Sequence, residues 1–257
     1  MKILINLPFH EDKYTVSTYC DEILLALQQN FGVYCTEFHG EAEYIIEKNG
    51  SSYTVQYAQR HCQTDDPIQL LHNRMFTNKR IKDGIFAFHA GAVAVRDKAY
   101  IFCAATTTGK TTLTAYLTER GLDYVSDDCV FVDRSTLAVY PCHTPIHLRD
   151  GGYDVLRRLG AEPKSAAKVH DRFVYTPDKL SAESMELGGI FFIERTENEN
   201  AILPLNKGDA LRRLMLSPIT FYSMNREYIT FLNNLAPFCR ILRYCDMEYV
   251  LTNIVRV

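Results

Sequence analysis

Apolar residues recur along this chain in two periods, and the period changes from one segment to the next. The first eight residues carry Ile3, Leu4, Ile5 and Leu7, a short run that predicts a strand. Residues 18–29 place apolar side chains at helical spacing and predict an amphipathic helix. Short runs at 33–38, 42–47 and 53–57 predict strands. Asn49-Gly50 between the last two marks a tight hairpin, since such turns need positive φ. Residues 99–103 form a compact apolar run of the kind a buried strand shows. Residues 113–120 then predict a helix closed by Gly121. Strands are predicted at 122–125, 129–132 and 136–140, Pro141 and Pro145 break the chain, and 153–159 predicts a short helix. The run 189–194 is apolar throughout and predicts a central strand. Beyond 200, helical periods cover 207–216 and 219–235, followed by a strand at 238–243 and a closing helix at 247–255. Phe221, Tyr222, Tyr228 and Phe231 make an aromatic stripe at helical spacing, read as core packing rather than peptide docking.

A shift in composition near residue 80 predicts two regions, an N-terminal α+β part at 1–80 and a larger domain at 81–257. The whole chain has 257 residues, 47% apolar and 23% charged, enough to bury a full core. A net charge of −3 without a long basic run argues against a nucleic-acid partner. Eight cysteines occur without a CxxC pair, and Cys103 and Cys129 fall inside predicted strands, so reduced core thiols are expected. No stretch reaches the roughly 18 apolar residues of a membrane span, and the first run is too short for a signal peptide. A cytoplasmic protein with no membrane partner is expected.

Candidate chemistry concentrates in Ala104-Ala105-Thr106-Thr107-Thr108-Gly109-Lys110-Thr111-Thr112, followed by Ser126-Asp127-Asp128. A phosphate loop turns successive backbone N–H groups onto phosphate oxygens, adds a lysine for the outer phosphates and a hydroxyl for Mg2+. Gly109, Lys110 and Thr111 supply the end of that pattern between a predicted strand and helix, although Ala104 stands where the first glycine belongs. Residues 105–112 are therefore the candidate nucleotide contacts, with a nucleoside triphosphate and Mg2+ as cofactors. Asp127 and Asp128 fall at a predicted strand end. One carboxylate there suits a metal and the other a proton from an attacking hydroxyl. Ser-Asp-Asp is also ordinary turn chemistry.

These motifs resemble the catalytic core of HPr kinase/phosphorylase. His89-Ala-Gly-Ala-Val93, the loop ending in Gly109-Lys110-Thr111, Arg120-Gly121 and Ser126-Asp127-Asp128 agree with that family in order and spacing. His89 lies 21 residues before Lys110, and Asp128 lies 18 after it. The resemblance covers about 85–150. It implies an α/β fold, a P-loop kinase core of the HPr kinase / PEP carboxykinase-like type with a small N-terminal α+β region and a helical C-terminal part. It also implies transfer of the γ-phosphoryl of ATP to a serine hydroxyl. Carried over by position, Lys110 holds the phosphates, Thr111 and Asp127 the metal, Asp128 is the general base and His89 a further active-site residue.

Departures qualify the match. Thr107 replaces a second loop glycine, Thr106 a serine, and His147 the family's metal-assisting glutamate, so Mn2+ becomes an alternative metal. The family's basic, glycine-rich loop has no counterpart beyond Lys168 and Arg172 in 164–177. A divergent relative is implied, similar to kinases that accompany ribosomally made peptides such as lasso peptides. Its partner would be a peptide or small-protein substrate, with homo-oligomerisation left open. A small-molecule hydroxyl kinase and a non-catalytic nucleotide-binding module remain the alternatives.

Overall fold

The computed structural model describes residues 1–77, 81–105, 108–169, 171–219 and 225–256. The chain is mixed α/β with several sheets, and it divides into two compact units, Met1–Lys82 and Asp83–Val257.

The first unit is built on β1 (Lys2–Ile5), β2 (Tyr14–Thr18), helix α1 (Asp21–Phe31), β3 (Cys35–Glu37), β4 (Tyr44–Asn49), β5 (Ser52–Tyr57), β6 (Arg60–Thr64) and helix α2 (Pro67–Thr77). Its six strands form one sheet in the order β3-β1-β2-β4-β5-β6. Asn49 pairs with Ser52, so the β4–β5 turn is two residues long, and Gly50 takes the positive φ of 63° that this turn needs. The helix expected from residue 18 starts at Asp21. Tyr14, Val16 and Thr18 alternate inward as a strand, and the Thr18 hydroxyl accepts the Cys20 N–H. Two further elements, β6 and α2, fall outside the strands and helix expected for this region. β6 is a polar strand at the sheet edge, without an apolar alternation to show it. α2 follows Asp66, whose carboxylate accepts the Gln69 N–H, and begins on Pro67, which is an N-cap and first-turn signature.

The second unit contains β7 (Ile85–Phe88), β8 (Ala90–Val95), β9 (Lys98–Cys103), α3 (Lys110–Glu119), β10 (Asp123–Ser126), β11 (Val130–Asp133), β12 (Val139–Tyr140) and β13 (Ile146–Arg149). It continues with α4 (Asp150–Arg158), β14 (Ala167–Val169), β15 (Arg172–Tyr175), β16 (Glu186–Arg195), β17 (Ala201–Pro204), α5 (Lys207–Met215), α6 (Arg226–Leu235), β18 (Cys239–Tyr244) and α7 (Met247–Arg256). A six-stranded sheet, β10-β8-β9-β16-β18-β17, is parallel through β9, β16 and β18 and antiparallel toward both edges. One face packs Tyr100, Phe102, Phe191 and Leu242 against Leu113 and Tyr116 of α3, Leu156 of α4 and Val250 of α7. The other packs Ile101, Ile190 and Phe192 against α5, α6 and the small sheet β12-β11-β7. Burial on both faces is why the central strands read as continuous apolar runs.

Residues 164–177, where Lys168 and Arg172 stand in for the family's basic loop, contain the hairpin β14–β15, which pairs with β13. The strand expected at 136–140 shortens to Val139–Tyr140, because the Asp133 carboxylate accepts the Ser135 and Thr136 amides and closes a turn. The helix expected at 219–235 begins at Arg226, capped by the Asn225 side chain; 220–224 lie outside the described residues. Of the aromatic stripe, Tyr228 and Phe231 stack on Phe86 with centroids 5.3 and 4.2 Å away, while Phe221 and Tyr222 fall in that undescribed stretch. Among the described residues no helix is long and apolar enough to cross a membrane.

Candidate functional site

β9 runs into a loop that ends on α3, beside the carboxyl ends of the parallel strands β16 and β18. Thr108 closes a turn there, its amide and hydroxyl both donating to the Ala105 carbonyl (3.3 and 2.8 Å). Thr106 and Thr107, between them, lie outside the described residues. Gly109 takes φ 99° and ψ 17°, a left-handed conformation costly for any side chain, and the helix starts on the next residue. The N-cap Gly109 has no side chain to cap α3, and the first amides of such a helix, with the positive end of its dipole, suit an anion.

Lys110 is that first helical residue and is only 8% exposed. Its stem crosses Gly91 of β8: a methyl group on Gly91 would meet the Lys110 Cγ at 3.2 Å and the Thr114 hydroxyl closer than 3.0 Å. The absent side chain therefore lets α3 approach the sheet. Lys110 Nζ lies 2.9 Å from His89 Nε2, and His89 Nδ1 lies 3.2 Å from the Asp128 carbonyl. An ammonium only donates, so Nε2 accepts and the proton resides on Nδ1, which donates to that carbonyl. Burial, then the Lys110 charge, lowers the His89 pKa against the opposing pull of Asp128, which keeps the ring neutral.

Sheet register places these groups together. Phe88 pairs with Val130 and Ala92 with Ser126. His89 thus stands where the chain passes from the small sheet into the central one, and Asp127-Asp128 stand where it passes back. The Ser126 hydroxyl donates to the Cys129 carbonyl (2.6 Å) and accepts the Cys129 N–H (3.1 Å), so this stretch is a locked turn as well as a site element. The turn separates the two carboxylates: Asp127 is 3% exposed, whereas Asp128 reaches solvent. Burial, then the Asp128 charge, pushes the Asp127 carboxyl up to about 8 despite Lys110 and a hydrogen bond from the Thr111 side chain. Asp127 Oδ1 is buried without a partner among the described residues.

A buried, unpartnered carboxylate oxygen beside a threonine hydroxyl is a hard-oxygen donor set that suits Mg2+. Among the described residues no group of three or more His, Cys, Asp or Glu side chains could hold a metal by itself, so phosphate oxygens and water would have to complete its shell. Thr112 packs against Gly152 at the start of α4. His147 alternates with Ile146 and Leu148, which enter the core shared with α3, so it occupies the opposite face of β13. Lys168 is tied to Asp150 (2.9 Å), and Arg172 lies 4.0 Å from Asp171. Three further residues belong here: Gly91 under Lys110, which the sequence reading quoted only as part of the His89–Val93 motif, and Arg195 and Tyr244 beside Gly109, which it did not single out. The predicted strand 189–194 stops one residue short of Arg195 and was the nearest sequence signal for it.

Comparison with protein-family models and with curated proteins returns no match. Among solved structures the chain has a slight likeness to the HPr(Ser) kinase/phosphatase from Coxiella burnetii, at a TM-score of 0.35 and 9% identity, over 66% of this chain and 95% of that one.

Proposed function

We propose that the chain is an ATP-dependent kinase that transfers the γ-phosphoryl group to a Ser or Thr hydroxyl of a peptide or small protein. The observation that carries this reading is the start of α3 at Gly109, with buried Lys110 as its first residue and, next to Thr111, an oxygen of buried Asp127 that has no partner among the described residues. The second unit is on this reading a P-loop kinase core of the HPr kinase / PEP carboxykinase-like type. The α3 amides and Lys110 hold the phosphates. Lys110 has three donors, so it can keep His89 while donating to phosphate oxygens. Thr111 and Asp127 would hold Mg2+, which when bound would neutralise charge on the phosphate chain.

Asp128, exposed at the turn, is the base. It takes the acceptor hydroxyl's proton as that oxygen bonds to the γ-phosphorus, while the bond to the β–γ bridging oxygen breaks and ADP leaves with the electron pair. A flexible Ser/Thr segment fits the solvent-facing side of the Asp pair. The eight free cysteines fit a reducing, cytoplasmic setting.

Calorimetry with MgATP tests the reading. Lys110→Ala should weaken binding by about 10-fold or more, the loss expected for a charge-assisted contact. Equal affinity of the variant and the wild type would remove the phosphate site. Incubation with MgATP and serine-bearing peptides, followed by mass measurement, then identifies the acceptor. A phosphoryl gain only on a sugar, amino acid or nucleoside would move the assignment to a small-molecule kinase.

A further inference from the structure

We infer that Arg195 is a second cation of the phosphate site, donating from its guanidinium to the phosphate chain alongside Lys110, with the Tyr244 hydroxyl as a neighbouring donor. The inference rests on the nucleotide reading above and adds to it two residues outside the loop and the Asp pair.

β9, β16 and β18 are adjacent and parallel, so their carboxyl ends share one edge of the sheet, where ligands of such sheets bind. β9 leads into the loop. Arg195 ends β16, Tyr244 ends β18, and the two are direct register partners. Both converge on the loop's glycine: a methyl group built on Gly109 would lie 3.4 Å from Arg195 Cδ, 3.8 Å from a guanidinium nitrogen and 3.7 Å from Tyr244 Oη.

Charge and hydrogen bonding point the same way. Glu194 next door is paired with Arg213 (2.8 Å) and Arg243 (3.1 Å), and Arg243 also reaches Glu199 (3.4 Å). Exposed Arg195 has no ion pair among the described residues, so its charge is uncommitted beside a helix start whose N-cap, Gly109, carries no side chain. Tyr244 is 1% exposed, yet its hydroxyl has no hydrogen-bond partner among the described residues. Buried polar groups are nearly always paired, and an orphan at a candidate site is explained when the ligand supplies the partner. Burial pushes that hydroxyl up to about 12 against the Arg195 charge, so it stays a donor near neutrality. A guanidinium adds a planar fork of donors to the single ammonium of Lys110, a geometry that matches phosphate.

The bland reading is that the Arg195 stem only packs on Gly109, and an apolar substitute of similar length separates the two. Titration of the full-length protein with MgATP and with inorganic tripolyphosphate should show Arg195→Met weakening both by about 10-fold or more. Arg195→Lys should recover part of the loss, and Tyr244→Phe should weaken both about 3-fold. The salt dependence of binding should flatten in Arg195→Met, because one phosphate contact is gone. Wild-type affinity of Arg195→Met for both ligands overturns the inference alone. Loss confined to ATP, with tripolyphosphate unchanged, also overturns it, since Arg195 would then read the nucleoside. A wild type that binds neither ligand removes the nucleotide reading itself, and this inference with it.

Discussion

Gly91→Ala tests the packing that sets Lys110 in place. The new methyl group would sit 3.2 Å from Lys110 Cγ, 3.5 Å from Thr114 Cβ and closer than 3.0 Å to the Thr114 hydroxyl. Thr114 is fully buried and has only two favoured rotamers in a helix, so side-chain rotation gives little relief and α3 must move off β8. Overpacking of this kind costs about 1–3 kcal/mol. The loss of unfolded-chain freedom on replacing glycine returns about 0.4–1 kcal/mol. The net of about 1–2 kcal/mol corresponds to a Tm lowered by roughly 2–8 °C in a domain of this size. Because the Thr114 hydroxyl has no partner among the described residues, removing it is close to neutral, and Thr114→Ala also vacates the space that the methyl group needs. Gly91→Ala/Thr114→Ala should therefore recover at least half of the lost Tm, and MgATP affinity should follow the same order. Thermal unfolding by circular dichroism of the wild type, both single variants and the double variant completes the cycle. A Gly91→Ala protein as stable as the wild type, or a double variant no better than the sum of the singles, would refute the close approach as the reason for this glycine.

Two further outcomes are expected. The raised Asp127 pKa means that the folded chain keeps a proton the unfolded chain releases near its ordinary value of 3.8, so this contribution to stability is complete below that pH and is lost as pH rises through about 8. In metal-free protein, Asp127→Asn should then raise Tm more at pH 9 than at pH 5, by at least ~3 °C, the shift that about 1 kcal/mol produces; a gain independent of pH would contradict it. Asp128→Asn should slow phosphoryl transfer to a peptide that the wild type modifies by roughly 100-fold while leaving MgATP affinity within about 2-fold, and a variant at full rate would move the base elsewhere.

Much of the architecture around the site is legible in the chain itself. Residues 99–103 and 189–194 lie within β9 and β16, because strands buried on both faces must be apolar at every position. The hairpin at Asn49-Gly50 is a local event decided by one glycine. Elements with weak local signals escape: β6 is polar because it is an edge, and no strand was expected where the β14–β15 hairpin forms. Residues 219–235 read as one helix from their period, whereas α6 takes its start from the Asn225 cap.

By itself, then, the sequence determined the residue types available for chemistry: a Gly-Lys-Thr at a strand–helix junction, and a carboxylate pair 17 and 18 residues beyond the lysine. Residue type and period did not separate Asp127 from Asp128, which only the family resemblance gave different roles, since adjacent residues share composition and differ in which way a turn aims them. The Ser126–Cys129 turn made that choice, burying one carboxylate and exposing the other. Nor could the sequence seat His89 against Lys110 or bring Arg195 and Tyr244 to Gly109. Those contacts arise from strand register and from α3 packing on the sheet, which bring together residues from 21 to more than a hundred positions apart. Local preference decides an element; only the sheet decides which strand ends meet.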